Sequence, residues 1–524
     1  MAGKSAWVGL VVALVVGAAV RWTLPADVED LKPRPDALEY EEAARNMAAG
    51  EGYCLILDGA KYPPRYSPGF STLLVPAMWL TGGEHGAGIW VVLAAALAGI
   101  ACVWAIGLVT GGAASAIVAA LLLALAPLHV RWSRAVMSDV PSTTVTAGLA
   151  LAGLLCLRRD ARPRAWLVLG MATGLAGLLR STCTLFALPL ALALLTQAGL
   201  GRHALRRLVA LAVGVGVGLL PLAIYDVLRF GSPLADGYRY WVAVDFFRWA
   251  NVLGAPVSGG SESNLRFYSR QIVGAGSLYP LPVALLAVAG LVLGSRQGGG
   301  PRALAVLTAA LALVLCAVYL PFFWQWDRFF IPLLPLVFAL AALPVGAAAP
   351  GWLRLAAVSL VAFVLTLAIA TPGAFAPPDR PPDLEVAGLR AIAARVEPNA
   401  VLIARSNVLL VSRLFHDATD RLWVPVDRCE HRALIRDRRL KPYAPANAPQ
   451  SWVWDVIGPT FDADAVEAAV HALLASGRPV YFSPILLFQT PVGLPVNRLL
   501  NARFRLDSVR TTTPTGLVRV REQE

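Results

Sequence analysis

The chain has 524 residues, 57% of them hydrophobic and 15% charged, with a formal net charge of +12 and a mean hydropathy of +0.62. Soluble domains are nearer half apolar and a quarter charged, so these values exclude an ordinary water-soluble globule. The positive charge does not point to nucleic acid, because the arginines mostly sit in short loops between apolar blocks, where the positive-inside bias places them.

From the N-terminus, Lys4 precedes an apolar run from Ala6 to Val20. Its small residues Gly17, Ala18 and Ala19 would suit signal-peptide cleavage, but in a chain with many later spans an uncleaved first helix is the better reading. Leu/Ala/Val/Gly blocks then recur near residues 6–24, 68–81, 86–109, 113–132, 140–157, 165–179, 183–198, 207–227, 281–294, 303–321, 329–347 and 355–371. Blocks of this length and uniformity suit helices crossing a hydrocarbon layer about 30 Å thick, where a water-soluble helix would carry an amphipathic stripe.

The stretch 68–81 is the doubtful span, being short at about 1.5 Å rise per residue and carrying Pro68 and Pro76. Loop charge arbitrates. The most basic loops are 158–164 and 202–207, with Arg296 and Arg302 in a third. All three fall inside if 68–81 lies on the outer surface, and all fall outside if it spans. This gives about eleven transmembrane helices, with 68–81 a juxtamembrane helix. Residues 25–85, 133–139, 228–280, 322–328 and 372–524 are then extracytoplasmic. Within 228–280, Tyr238, Tyr240, Trp241, Phe246, Phe247 and Trp249 read either as an ordinary aromatic belt or as a lipid-binding cluster.

After Pro372 the run AFAPPDRPPD reads as a Pro-rich linker, 372–383. The remainder, 384–524, reads as a small extracytoplasmic α/β domain: a helix over 384–396, a buried strand over 400–404, a helix from Asp462 to Ser476 stopped by Gly477, and a strand over 478–483. No GxGxxG, Walker or zinc spacing occurs in it, so it is expected to bind or position an acceptor. The six cysteines, Cys54, Cys102, Cys156, Cys183, Cys316 and Cys429, form no CxxC pair, which argues against metal or redox roles.

Two carboxylates stand out, Asp36 in the first outer loop and Asp139 in the second. Each is positioned either to cap the helix that follows it or, where water is restricted, to act as a general base towards a hydroxyl. Basic residues fall on the same predicted side: Lys61, Arg65, Arg131, Arg134, Arg180 and Arg328. Cations at a membrane boundary commonly snorkel to headgroups. So many on the face opposite the positive-inside loops fit a bound anion such as a lipid phosphate.

These segments resemble the membrane-embedded glycosyltransferases of the GT-C superfamily, in particular the dolichyl-phosphate-mannose-mannosyltransferase-like and aminoarabinose-transferase-like enzymes. The likeness covers most of residues 1–371. It rests on D-x-x-x-Y followed by A-R-N-x-x-x-G-x-G-Y (Asp36 to Tyr53), Y-S-P-G-F (Tyr66 to Phe70), S-D-V-P (Ser138 to Pro141) and D-R-F-F-I-P-L-L-P (Asp327 to Pro335). The resemblance implies an all-α polytopic membrane domain, 1–371, followed by the small α/β domain. It implies a polyprenyl-phosphate sugar donor, an extracytoplasmic lipid, glycan or protein acceptor, and inversion at the anomeric carbon, in a bacterial inner membrane.

Asp36 then matches the catalytic aspartate of the first loop, the base that activates the acceptor, and Asp139 the acidic position of the second. Lys61, Arg65, Tyr40, Arg134, Arg328 and Glu39 are the expected substrate-binding residues. Where some relatives carry an Asp-Glu pair in the first loop, Ala37 follows Asp36 here and the nearest acid is Glu39. No DxD cluster faces outward, so no obligatory metal or other cofactor is expected, although Asp36 with Asp139 would suit one cation. The rival readings are a secondary transporter or lipid flippase, against which the scarcity of mid-span charges weighs, and a non-catalytic envelope-assembly protein.

Overall fold

The computed structural model describes residues 2–22, 35–57, 60–84, 86–241, 246–254, 262–273, 281–347, 384–404, 408–411, 414–415, 420–425, 463–483, 494–512 and 516–523. Two compact units emerge. One contains residues 1–26, 66–236 and 244–378, the other 27–65, 237–243 and 379–524.

The first unit is a helical membrane bundle. Among the described residues six helices are long and apolar enough to cross a bilayer, and Ala6–Trp22 and Leu281–Arg296 are shorter apolar helices. The longest, Ile89–Leu125, is two helices merged across Gly112, whose φ of 82° and ψ of −170° are non-helical. Only glycine takes such a conformation readily. The chain turns back there, since Gly17 of the first helix faces both Ile100 and Ala124. The two expected spans 86–109 and 113–132 are therefore the arms of one hairpin. Every expected span up to residue 347 falls on helix, while 355–371 and the linker 372–383 lie outside the described residues. The stretch expected to be juxtamembrane is a 14-residue helix, Pro68–Thr81, with Pro at its start and Gly82 in the left-handed conformation at its end.

Small residues bring the helices close, as is general where lipid tails supply no hydrophobic drive. Gly170 and Gly174 on Pro163–Leu175 sit against the backbone of Gly214 and Gly218 on Arg202–Phe230, leaving no room for a Cβ. Arg202–Phe230 presents its other side outward through Val209, Val213, Leu220 and Ile224. These exposed apolar side chains are what a lipid-facing helix requires.

The second unit is α/β. Its five-stranded sheet has the order β4-β3-β5-β7-β6, where β3 is Val401–Ala404, β4 Leu422–Pro425, β5 Val480–Phe482, β6 Phe504–Ser508 and β7 Val518–Glu522. The β3 strand is parallel to β4 and β5, whereas β7 is antiparallel to β5 and β6. β3 is buried throughout because both faces are covered: Leu402 and Ala404 face a core with Leu389 and Ile392, and Val401 and Ile403 face one with Val470 and Leu473. The sequence-predicted helices and strands of this region are present, with Gly477 at φ 75° ending Ala463–Ala475; the expected cap Asp462 lies outside the described residues.

The compact units cross the expected domain boundaries. The helix Pro35–Ala48 and the hairpin of β1, Leu55–Leu57, with β2, Ala60–Tyr62, join the C-terminal unit. The reason is packing. Leu38 is buried in the same core as Val386, Leu389 and Phe415, and Tyr62 packs against it.

Candidate functional site

In the α/β unit, Asp36 stands in the first turn of Pro35–Ala48, where a negative charge complements the helix dipole. Three residues on, Glu39 shares its face. Arg65 reaches both: its Nη2 lies 3.5 Å from Asp36 Oδ1 and 3.3 Å from Glu39 Oε2, and its backbone N–H donates to Glu39 Oε1. The Arg65 and Glu39 side chains are 4% and 1% exposed, whereas Asp36 keeps 17%. Glu39 is thus the buried anchor of Arg65, and Asp36 is the acid that a solute can reach. The guanidinium also lies 5.7 Å from the Tyr238 ring centroid. Gly237 permits that approach, because a Cβ there would meet the Pro64 and Arg65 backbone.

The glycines of the A-R-N-x-x-x-G-x-G-Y run are architectural. Gly50 and Gly52 have φ of 82° and 85°, and buried Asn46 donates from Nδ2 to the Cys54 carbonyl at 2.9 Å. Together they turn the chain from the helix into β1. Tyr40 is buried. Lys61, on β2, is 52% exposed and pairs with Glu51 at 2.6 Å, which holds the Glu51 carboxyl below its ordinary value through that hydrogen bond and charge.

In the membrane unit Asp139 is the first residue of the helix Asp139–Arg158, and no side-chain cap bond forms at that helix start. Its carboxylate is taken by two arginines instead. Arg180 Nη1 donates to Oδ1, and Arg328 Nη1 lies 3.5 Å from Oδ2. Asp139 is 1% exposed, Arg180 17% and Arg328 11%. The Arg328 guanidinium lies 5.1 Å from the Trp132 ring centroid, 5.3 Å from that of Trp326 and 5.8 Å from that of Phe329, faces that attract a cation electrostatically. Arg131 pairs with Asp327, and Arg134 is half-buried in the turn before Asp139.

Among the described residues two guanidiniums share this one buried carboxylate, and guanidiniums bind anionic oxygens strongly where water is scarce. Among the described residues no three His, Cys, Asp or Glu side chains come together as a metal site would need. Sequence reasoning missed the platform of Trp132 and Trp326, and the loops that hold it, because nothing in their spacing announces a contact between segments so far apart.

A helical bundle together with a mixed α/β unit is the fold shared with two solved membrane glycosyltransferases. The profile of the dolichyl-phosphate-mannose-protein mannosyltransferase family matches residues 66–225. Among solved structures, ArnT from Cupriavidus metallidurans bound to undecaprenyl phosphate is similar at TM-score 0.64 and 16% identity, covering 99% of this chain and 98% of that one. Its apo state gives TM-score 0.62 at 18% identity over the same shares. The Archaeoglobus fulgidus oligosaccharyltransferase AglB, in complex with an inhibitory peptide and a dolichol-phosphate, gives TM-score 0.55 at 11% identity, covering 99% of this chain and 74% of that one. No curated protein sequence matches significantly.

Proposed function

We propose that the protein is an integral membrane glycosyltransferase of a bacterial inner membrane. It moves a sugar, with inversion, from a polyprenyl-phosphate donor to an extracytoplasmic lipid, glycan or protein acceptor. The observation that carries this reading is the convergence of Arg180 and Arg328 on one buried carboxylate, Asp139, in a chain of GT-C fold. Two guanidiniums converging in a water-poor setting suit a lipid phosphate, and the carrier phosphates bound by ArnT and AglB support that choice. The extracytoplasmic orientation rests on the charge of the loops.

In the reaction the acceptor oxygen attacks C1 of the sugar and its proton passes to the Asp36 carboxylate. The C1–O bond to phosphate breaks, and its electron pair stays on the departing carrier phosphate. Arg328 and Arg180 stabilise that charge, because fixed cations in a water-poor site act where charge develops. Asp139 orients the two arginines, Glu39 fixes Arg65, and Arg65 sets the Asp36 carboxylate. Lys61, Arg134 and Tyr40 are the further substrate contacts.

The test is incubation of purified, reconstituted protein with a panel of polyprenyl-phosphate sugars and a lipid and glycan acceptor extract, following release of carrier phosphate. Release from one member, dependent on Arg328, is expected. Solute crossing the bilayer with no donor consumed would identify a transporter instead.

A further inference from the structure

The loop that delivers Arg328 to Asp139 is gripped by a short helix whose own residues carry none of the chemistry. Gly299–Tyr319 ends at Tyr319, and the chain runs through residues 320–326 into the 3-10 helix Asp327–Leu333 that bears Arg328. A helix over Asn264–Val273 lies along this connection and binds it at successive points. Asn264, fully buried, donates from Nδ2 to the carbonyls of Leu320 and Phe322, both at 2.7 Å. The Glu262 carbonyl accepts from Gln325 Nε2 at 2.7 Å.

Further along, the Tyr268 hydroxyl accepts from the Trp326 N–H at 3.4 Å, and the Tyr268 ring packs on Phe330 with centroids 4.8 Å apart. A second buried amide, Asn251, donates to the Pro321 carbonyl at 3.0 Å. These carbonyls follow a helix C-terminus, where no intrahelical donor remains for them. A buried acceptor left without a donor is costly, so the loop has one favoured course while Asn264 is present. That course sets Arg328: Trp326, two residues before it, is both the group held by Tyr268 and a face on which the guanidinium rests.

We infer that Asn264 and Tyr268 are positioning residues, forming a clamp that holds the loop 320–328 so that Arg328 meets the carrier phosphate in one geometry. The inference rests on the assignment of Arg328 to that phosphate. Both act through the loop: their contacts are to Leu320, Phe322, Trp326 and Phe330. Asn264 donates both hydrogen bonds, and aspartate, a carboxylate of the same shape with no N–H, sets oxygen against the two carbonyl oxygens instead. Tyr268→Phe removes only the hydroxyl and keeps the ring on Phe330, so it preserves the fold.

The experiment measures undecaprenyl phosphate binding to the full-length purified protein by calorimetry in detergent, for Asn264→Asp, Tyr268→Phe, Arg328→Ala and the two double variants with Arg328→Ala. A small misplacement of a binding group is expensive, so Asn264→Asp is expected to weaken binding about tenfold and Tyr268→Phe about threefold. In the Arg328→Ala background each is expected to add less than about twofold, because residues acting through one group are not additive. A purely structural role predicts the same loss in both backgrounds, and that result overturns the clamp while leaving the phosphate assignment standing. Unchanged binding in both Asn264→Asp and Tyr268→Phe also overturns it. Arg328→Ala binding like wild type would instead refute the phosphate assignment, and the clamp would fall with it.

Discussion

Replacing Asp139 with asparagine keeps the shape of the side chain and removes one negative charge facing Arg180 and Arg328. Removing one member of a buried ion pair typically costs about 3–5 kcal/mol, because the partner is left charged and dehydrated. The Arg328 contact is long at 3.5 Å, and the arginines keep 17% and 11% of their exposure, which places the expected loss near the lower bound, about 3 kcal/mol. At about 2 °C per kcal/mol for a large domain, the apparent Tm falls by about 6 °C.

A capping role for Asp139 would give a different size of effect, about 1 kcal/mol and therefore about 2 °C. Thermal unfolding of wild type and Asp139→Asn in one detergent, followed by tryptophan fluorescence, separates the two. A second arm adds Arg180→Met to Asp139→Asn. Replacing both members of the pair is expected to recover at least about half the loss, since an apolar replacement of a buried pair is often neutral. A shift of about 2 °C or less, or a double variant less stable than the single one, would refute the ion-pair account.

Gly174→Leu places a side chain against the Gly218 backbone, 2.8 Å from its Cα at the Cβ position alone, so the two helices must separate; size-exclusion chromatography is expected to show loss of the monodisperse peak. Lys61→Ala is expected to leave thermal stability unchanged, because the Lys61–Glu51 pair is exposed, while undecaprenyl phosphate binding weakens severalfold if Lys61 contacts the phosphate; unchanged binding removes it from the site. Tyr481 donates to Glu397 at 2.7 Å, and burial, then that carboxylate, push its phenol up to about 12. Because the folded value exceeds the ordinary value of about 10, this contribution to stability is complete below pH about 10 and is lost as pH rises towards about 12. Denaturation of the wild type followed across that window is expected to show the decline, and Tyr481→Phe a flatter profile; identical profiles would refute the assignment.

Where one physical signal dominated, the sequence was easy to read. Apolar block length located the helices through residue 347, and the continuous apolar run Ala400–Ala404 located a strand buried on both faces. The first-loop helix was also visible, but not its company: Leu38 differs in no local way from other apolar residues, so nothing showed that it would enter the core with Leu389 and Phe415. The edge strand β6 and its neighbour β7 went unassigned although Phe504 and Leu506, and Val518 and Val520, alternate with charged residues; five residues of alternation are too short a signal to stand out from a charged loop. At the site, Asp139 and Arg328 were singled out by type and position. Their mutual pairing, and the hold of Asn264 on Leu320 and Phe322, depend on contacts across many residues of chain and have no local signature.

The central claim is that Asp36 accepts the proton of the acceptor hydroxyl. Asp36→Asn keeps the side chain's size and its place at the start of the helix Pro35–Ala48 while removing the base. Sugar transfer from the active polyprenyl-phosphate donor, measured at saturating donor and matched protein level, is expected to fall about 10²–10⁴-fold with donor binding retained. Transfer at the wild-type rate would contradict the account.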